Sequence, residues 1–220
     1  MEETRDMSLK YADEYSRKFT FAEEAVKVIK SGDRVIYAFG VCSVNELDRA
    51  LAARKNELQE VKVICNDISC RYYAMDSDIS GNHFKFYEGI CPGARESVRH
   101  EGGTINTDKP LTRKYLKGGN STGHIFMATV SPMDKNGHFW FGCSKSQKHN
   151  FRQYYEMAEY VILEINERIL EGCKDQESIH ISQVDKIVGS NNEELLPSHI
   201  QPRKYYLFEG NIIENKNRAV

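Results

Sequence analysis

Two short apolar runs constrain this chain more than any other feature: Asp33 to Gly40 (DRVIYAFG) and Val61 to Cys65 (VKVIC). Continuous apolar runs of this length, bounded by turn residues, read as strands buried on both faces. Before the first run, Thr20-Phe21-Ala22-Glu23 spells a capping box, with Thr20 as N-cap and Glu23 at the third helical position. Ala22, Ala25, Val26 and Ile29 follow at helical spacing, and Gly32 stands where a glycine stops a helix. Between the runs, Ser43-Val44-Asn45-Glu46 spells a second capping box, and Leu47, Ala50 and Leu51 continue a helix to about Leu58. Helix, strand, helix and strand with short connections predict an α/β protein with an open, mostly parallel sheet and helices on both faces. Ligands of such sheets bind beyond the carboxyl ends of the strands. The Phe39 to Asn45 loop therefore attracts attention, because a capped helix start after a small-residue turn makes an anion site. It is neither a P-loop nor a dinucleotide fingerprint, since Gly40 is its one glycine.

Downstream, His83 to Tyr87 and His124 to Val130 read as further strands, with a loop over residues 66 to 82 before the first of them. Gly93 to His100 reads as a short helix, and residues 104 to 123 as a turn-rich excursion. Ser131 and Pro132 end the His124 strand. Asn136-Gly137 is a strong hairpin signal, because both residues tolerate positive φ, and His138 to Phe141 returns as an aromatic strand. The longest helical pattern runs from Gln147 to Leu170, with Phe151, Tyr155, Ala158, Ile162 and Ile165 on its buried face. Ser178 to Val188 reads as strand and turn. Residues 1–19 are expected to form an arm or short helix, 20–190 the α/β domain, and 191–220 a tail carrying the apolar cluster Tyr205 to Phe208.

A chain of 220 residues can bury a full core. A net charge of −2 gives no electrostatic case for nucleic acid or an anionic membrane as partner, and no apolar run reaches membrane-spanning length. The N-terminus is of mixed charge, unlike a secretory signal. The six cysteines form no C-x-x-C pair, which fits reduced thiols and a cytoplasmic setting; Cys42 and Cys91 fall in loops as candidate reactive thiols. None of the seven histidines pairs at i, i+4 with a third ligand, so no metal or other cofactor is expected. There is no G-x-S-x-G. Asp134 and Lys135 are available for acid–base or charge-pairing work, although turn residues are ordinarily solvated.

Four blocks in order resemble the N-terminal half of the acetyl-CoA hydrolase/transferase family, which includes 4-hydroxybutyrate and butyryl-CoA:acetate CoA-transferases. They are Glu23 to Val26 through Ser31-Gly32-Asp33-Arg34-Val35 and Asn45-Glu46-Leu47; Phe86 to Gly89 with Arg95-Glu96-Ser97-Val98; Val130-Ser131-Pro132-Met133-Asp134-Lys135-Asn136-Gly137 through Phe141-Gly142; and Ala158 to Asn166 with Ile179 to Ser182 and Val184 to Val188. The resemblance implies a CoA-transferase N-terminal-domain fold and exchange of CoA between an acyl-CoA and a short carboxylic acid. Coenzyme A would be substrate rather than cofactor. It implies covalent catalysis, in which a glutamate carboxylate attacks the thioester and a glutamyl-CoA thioester forms.

The family's glutamate lies in its C-terminal half, in a His-Thr-Glu-Met context that these 220 residues lack. No catalytic residue is therefore assigned, and the chain alone is expected to be inactive. The candidate cleft residues are Gly40, Cys42, Ser43, Arg95, Ser131, Pro132, Met133, Asp134, Asn136, Gly137, Phe141 and Gly142. The loop after Ala38 is poorer in glycine than the family's and lacks its proline. The expected partner is a C-terminal-half subunit or a second copy of the chain, meeting apolar patches at Tyr205 to Phe208 and His138 to Phe141. Two alternatives stay open: a non-catalytic acyl-CoA- or partner-binding module, and, on fold analogy, a sugar-phosphate isomerase.

Overall fold

The computed structural model describes residues 11–38, 42–65, 72–88, 105–106, 124–142, 150–169 and 176–189, with the backbones of 205–208 and 211–214. Its strands are β1 (Phe19–Thr20), β2 (Arg34–Tyr37), β3 (Val61–Cys65), β4 (Phe84–Glu88), β5 (Ile105–Asn106), β6 (His124–Val130), β7 (His138–Trp140), β8 (Tyr160–Ile165), β9 (Ser178–His180), β10 (Lys186–Gly189), β11 (Tyr205–Phe208) and β12 (Asn211–Glu214). The α-helices are α1 (Ala12–Lys18), α2 (Ala22–Ala25), α3 (Glu46–Ala53), α4 (Tyr73–Ser77) and α5 (Arg152–Tyr155).

Eight strands form one sheet in the order β1-β10-β8-β6-β2-β3-β4-β5, and every neighbouring pair in it is parallel. Side chains alternate across a strand. Val35 and Tyr37 of β2 thus enter one core, with Leu47, Leu51, Val63, Phe84 and Phe86. Ile36 and Ala38 enter the other, with Phe126, Phe139, Phe141, Phe151, Leu163 and Ile179. Both faces are covered, which is why the central strands are apolar at nearly every position. Each fully buried Phe or Leu in these layers contributes roughly 2 kcal/mol.

The chain runs β2 to β5 outward in one direction, then returns to place β6 on the other side of β2 and moves outward again through β8 and β10. The strand order reverses between β2 and β6. The small antiparallel pair β7–β9 contributes Phe139 and Ile179 to the second core, and β11 and β12 form a separate antiparallel hairpin.

Several expectations are corrected. Residues 147 to 170 are not one helix: α5 holds four residues, and Tyr160–Ile165 is a central parallel strand. Within 66 to 82, Tyr73–Ser77 is a short helix. Neither capping box forms. Thr20 is used in β1, where it pairs with Val188, and α2 starts from Phe21 with no side-chain cap. The α3 helix starts from Asn45, again with no side-chain cap of its own. Gly32 does turn the chain, at φ +86°. No correction is needed in the described part of the segment before residue 20, where α1 is a short helix: Tyr11 and Tyr15 pack on the second core, and Lys18 Nζ donates to the Ile181 carbonyl at 2.8 Å. The expected helix at 93–100 lies outside the described residues.

Candidate functional site

In an open parallel sheet the crevice opens at the carboxyl ends of the strands where their order reverses. Here that is the end of β2 and β6, and two segments meet there: the turn at 42–45 and the hairpin that starts at Ser131. Two bonds connect them to the sheet and to each other, and a third joins the ends of β2 and β6 beneath them. Thr129 Oγ1 donates to the Ser43 carbonyl at 2.8 Å, Gly142 N donates to Cys42 Sγ at 3.0 Å, and Ala38 N donates to the Met127 carbonyl at 2.8 Å.

The hairpin is held largely by its own polar groups. The Asp134 carboxylate accepts from Asn136 N (2.8 Å), His138 N (2.9 Å) and Trp140 Nε1 (3.1 Å). Ser131 Oγ accepts from Trp140 N at 3.0 Å and donates to the Pro132 carbonyl at 2.8 Å. Asp134 is thus the fastener of the turn rather than a solvated charge. Pro132, Lys135 and Asn136 are exposed, and Met133 is half-buried against the second core. Gly137 has φ +80°, and a Cβ there would lie 3.0 Å from His180 Nε2 and 3.1 Å from the Tyr11 ring. Gly137→Ala is therefore expected to lower stability by about 2 kcal/mol, from left-handed strain and crowding. Urea unfolding reads this as a reduced midpoint at unchanged slope.

Phe139 and Phe141 are core residues. Phe141 packs against Phe151 with ring centroids 4.7 Å apart. The expected apolar patch at His138 to Phe141 is corrected accordingly: its two phenylalanines are already covered by this chain. Tyr205 to Phe208 pairs with β12 through its backbone, and its side chains lie outside the described residues, as do Gly40, Cys91 and Arg95.

Cys42 is not a reactive thiol. It is fully buried, and burial pushes its pKa up to about 12, against the opposing effect of the Gly142 N–H. A thiol in that state offers almost no thiolate at neutral pH. Its sulfur instead accepts the Gly142 N–H and so joins the 42–45 turn to the end of the hairpin.

The expected anion site at the start of α3 is already filled, and by a residue the sequence reading did not single out. Glu164, near the carboxyl end of β8, accepts through Oε2 from Asn45 N at 3.2 Å and Leu47 N at 3.1 Å. Burial raises its pKa to about 7, and the amides of Leu47, Asn45 and Glu46 oppose that shift. Asp48 does the same for α4. It is fully buried in the first turn of α3 and accepts from Tyr73 N (2.6 Å), Ala74 N (3.4 Å) and the Tyr37 hydroxyl (2.9 Å). Burial brings its pKa to about 7 as well, with the Glu164 charge adding to the rise. Glu177 serves the start of α5, accepting from Phe151 N and Arg152 N. Three helix starts are therefore capped by distant carboxylates; α3 and α4 have no local side-chain cap, and α5 adds one, Asn150 Oδ1 accepting from Gln153 N at 3.4 Å. The available signal was a single acid inside an apolar run, Tyr160-Val-Ile-Leu-Glu164-Ile. Two other polar atoms of this turn, Ser43 Oγ and Asn45 Oδ1, are buried with no hydrogen-bond partner among the described residues. Among the described residues no group of three or more His, Cys, Asp or Glu is placed to hold a metal, and no helix is long and apolar enough to cross a membrane.

Residues 3–197 match the family model described as the acetyl-CoA hydrolase/transferase N-terminal domain. The chain belongs to this family. A probable butyrate:acetyl-CoA coenzyme A-transferase of Syntrophomonas wolfei is 34% identical over 195 residues, 85% of this chain and 42% of that protein. A butyryl-CoA:acetate CoA-transferase of Anaerostipes caccae is 34% identical over 191 residues, 84% of this chain and 41% of that one. Among solved structures, RipA from Yersinia pestis shares the fold with a TM-score of 0.63 at 24% identity, over 82% of this chain and 44% of RipA. The 4-hydroxybutyrate CoA-transferase of Porphyromonas gingivalis shares it with a TM-score of 0.57 at 16% identity, over 82% of this chain and 41% of that one. The 220 residues thus span less than half the length of each of these four proteins.

Proposed function

We propose that this chain supplies the N-terminal half of a CoA-transferase that exchanges CoA between an acyl-CoA and a short carboxylic acid, with the catalytic glutamate coming from a separate C-terminal half. The observation that carries the second part is the fate of the acids at the cleft. Covalent transfer needs a carboxylate free to attack a thioester carbon. Asp48 and Glu164 are buried: both Asp48 oxygens accept from the α4 amides and the Tyr37 hydroxyl, Glu164 Oε2 accepts from two amides of the α3 start, and both Asp134 oxygens are taken up by the hairpin. None of the three can reach a substrate without dismantling the wall it holds up. The cleft wall comes from this chain, and the nucleophile comes from outside these residues. The butyrate- and acetate-directed names of the relatives support a short-chain acyl donor and acceptor.

The test is to incubate the purified chain with butyryl-CoA and acetate, alone and with a polypeptide carrying the C-terminal half of a relative. The expected result is no CoA exchange by the chain alone, and saturable butyryl-CoA binding displaced by free CoA. With the second half present, exchange appears and the mass of CoA is found on that half. A CoA adduct on a peptide of this chain would overturn the proposal. So would the absence of both binding and exchange in the combined sample.

A further inference from the structure

A carboxylate in the interior of an eight-stranded sheet is costly, because its strand neighbours cannot solvate it. Glu164 sits between Leu163 and Ile165 in β8, 4% exposed, and its register partners are Thr129 of β6 and Val188 of β10. What it holds in return is specific. Its Oε2 takes the N–H groups of Asn45 and Leu47, the N-cap and the second residue of α3. Thr129, its partner across the ladder, takes the Ser43 carbonyl through Oγ1. Adjacent strands thus grip both ends of one three-residue turn. Between the grips lie Ser43 Oγ and Asn45 Oδ1, both buried and both without a partner among the described residues. A turn free to relax would pair such oxygens with water or backbone, since leaving them unpaired is unfavourable.

We propose that Glu164 is a positioning residue for the cleft: it stands where an external anion would stand at the first turn of α3, pins the 42–45 turn to β8, and keeps two atoms of that turn, Ser43 Oγ and Asn45 Oδ1, without a partner among the described residues and so available to a substrate, while Asn45 Nδ2 is held by Glu46. In so far as that substrate is an acyl-CoA or a carboxylic acid, the inference rests on the function proposed above. It also limits where substrate charge goes. The start of α3 is filled from within, so neither the phosphates of CoA nor the carboxylate of the acceptor binds there. The charged and titratable groups facing Glu164 are Glu46 and Asp48 of α3, and Tyr37 of β2 reaches it through Asp48.

The test compares Glu164→Gln and Glu164→Ala with the unaltered full chain by residue-resolved hydrogen exchange, with and without about 50 mM formate as a small replacement anion. In Glu164→Ala, exchange at Asn45 and Leu47 is expected to quicken about tenfold, as for the loss of a hydrogen bond to a charged group, with β3 and β10 unchanged. Formate is expected to restore protection in that variant and to do nothing to the unaltered chain. Glu164→Gln keeps an acceptor and is expected to fall between the two, so it decides the matter if Glu164→Ala does not fold. In the exchange assay with the C-terminal half, Glu164→Gln is expected to raise KM for acyl-CoA about fivefold with kcat nearly unchanged. Unchanged exchange at 45 and 47, uniform loss of protection across the chain, or no response to formate would each overturn the positioning role. Failure of the unaltered chain to bind acyl-CoA, with the exchange pattern as expected, would sink the CoA reading and leave the positioning role standing.

Discussion

Asp48→Ala is expected to be among the most damaging single substitutions in this protein, lowering stability by about 4 kcal/mol. The residue is fully buried in the first turn of α3, and its carboxylate ends the Tyr37 hydroxyl and the first two N–H groups of α4. Truncation leaves all three donors without an acceptor, at about 1–3 kcal/mol for each that water cannot reach. The Tyr37 ring, which meets the Tyr72 ring edge-on at 5.4 Å, loses the anchor that fixes its orientation. Asp48→Asn keeps one acceptor oxygen but adds two donors in a pocket already full of donors, so it is expected to cost about half as much. Urea unfolding followed by circular dichroism measures both. An alanine variant within about 1 kcal/mol of the parent would mean that the α4 start is satisfied in some other way.

The second large effect is on pH dependence, and its direction is unusual for acids. Asp48 and Glu164 both have folded-state pKa values near 7, against ordinary values of 3.8 and 4.5. A raised pKa means the folded state binds the proton more tightly than the unfolded state. Their contribution is thus fully present below about pH 4 and is lost as pH rises through about 7. Burial raises Glu177 as well, in the same direction. Asp78, whose pKa is lowered against burial by the His83 and Phe84 amides and by Ser80, acts in the opposite direction but only in more acid solution. Between pH 5 and 8 the raised carboxylates dominate. One such group is worth on the order of 3 kcal/mol across its window, or roughly 6–12 °C in Tm for a chain of this size. Tm is expected to fall across that range, and the fall is expected to flatten in the Asp48→Asn, Glu164→Gln double variant. A parent protein whose Tm rises from pH 5 to 8 would contradict the burial of both acids.

Both predictions concern residues that the sequence pattern hides, and the reason is the same for each. Local capping rules find Ser, Thr or Asn beside a helix start, and here Thr20 and Ser43 fit the rule. The chain instead uses Thr20 as a strand residue, and α3 takes its cap from a residue 117 positions from Leu47. Helical periodicity across Gln147 to Leu170 failed for a related reason. A strand buried on both faces has no period of its own, so Phe151, Tyr155, Ala158, Ile162 and Ile165 matched a helix by spacing. The β-branched residues of Tyr160 to Ile165 and their central place in the sheet decided otherwise.

What the sequence determined by itself was the class of fold and the place to look. Continuous apolar runs at 33–40, 61–65 and 124–130, separated by helical segments, permit little other than a parallel sheet covered on both faces, and the Ser131 to Gly142 block carried the family likeness. What only the tertiary structure decided was how the cleft is held. Strand order put the 42–45 turn beside the hairpin, and burial turned Cys42 from a candidate reactive thiol into a strut. Burial also made Glu164 and Asp48 into caps. Those roles depend on solvent exclusion and on contacts between residues from 25 positions apart (Asp48 and Tyr73) to 119 apart (Glu164 and Asn45), and neither is written in local spacing.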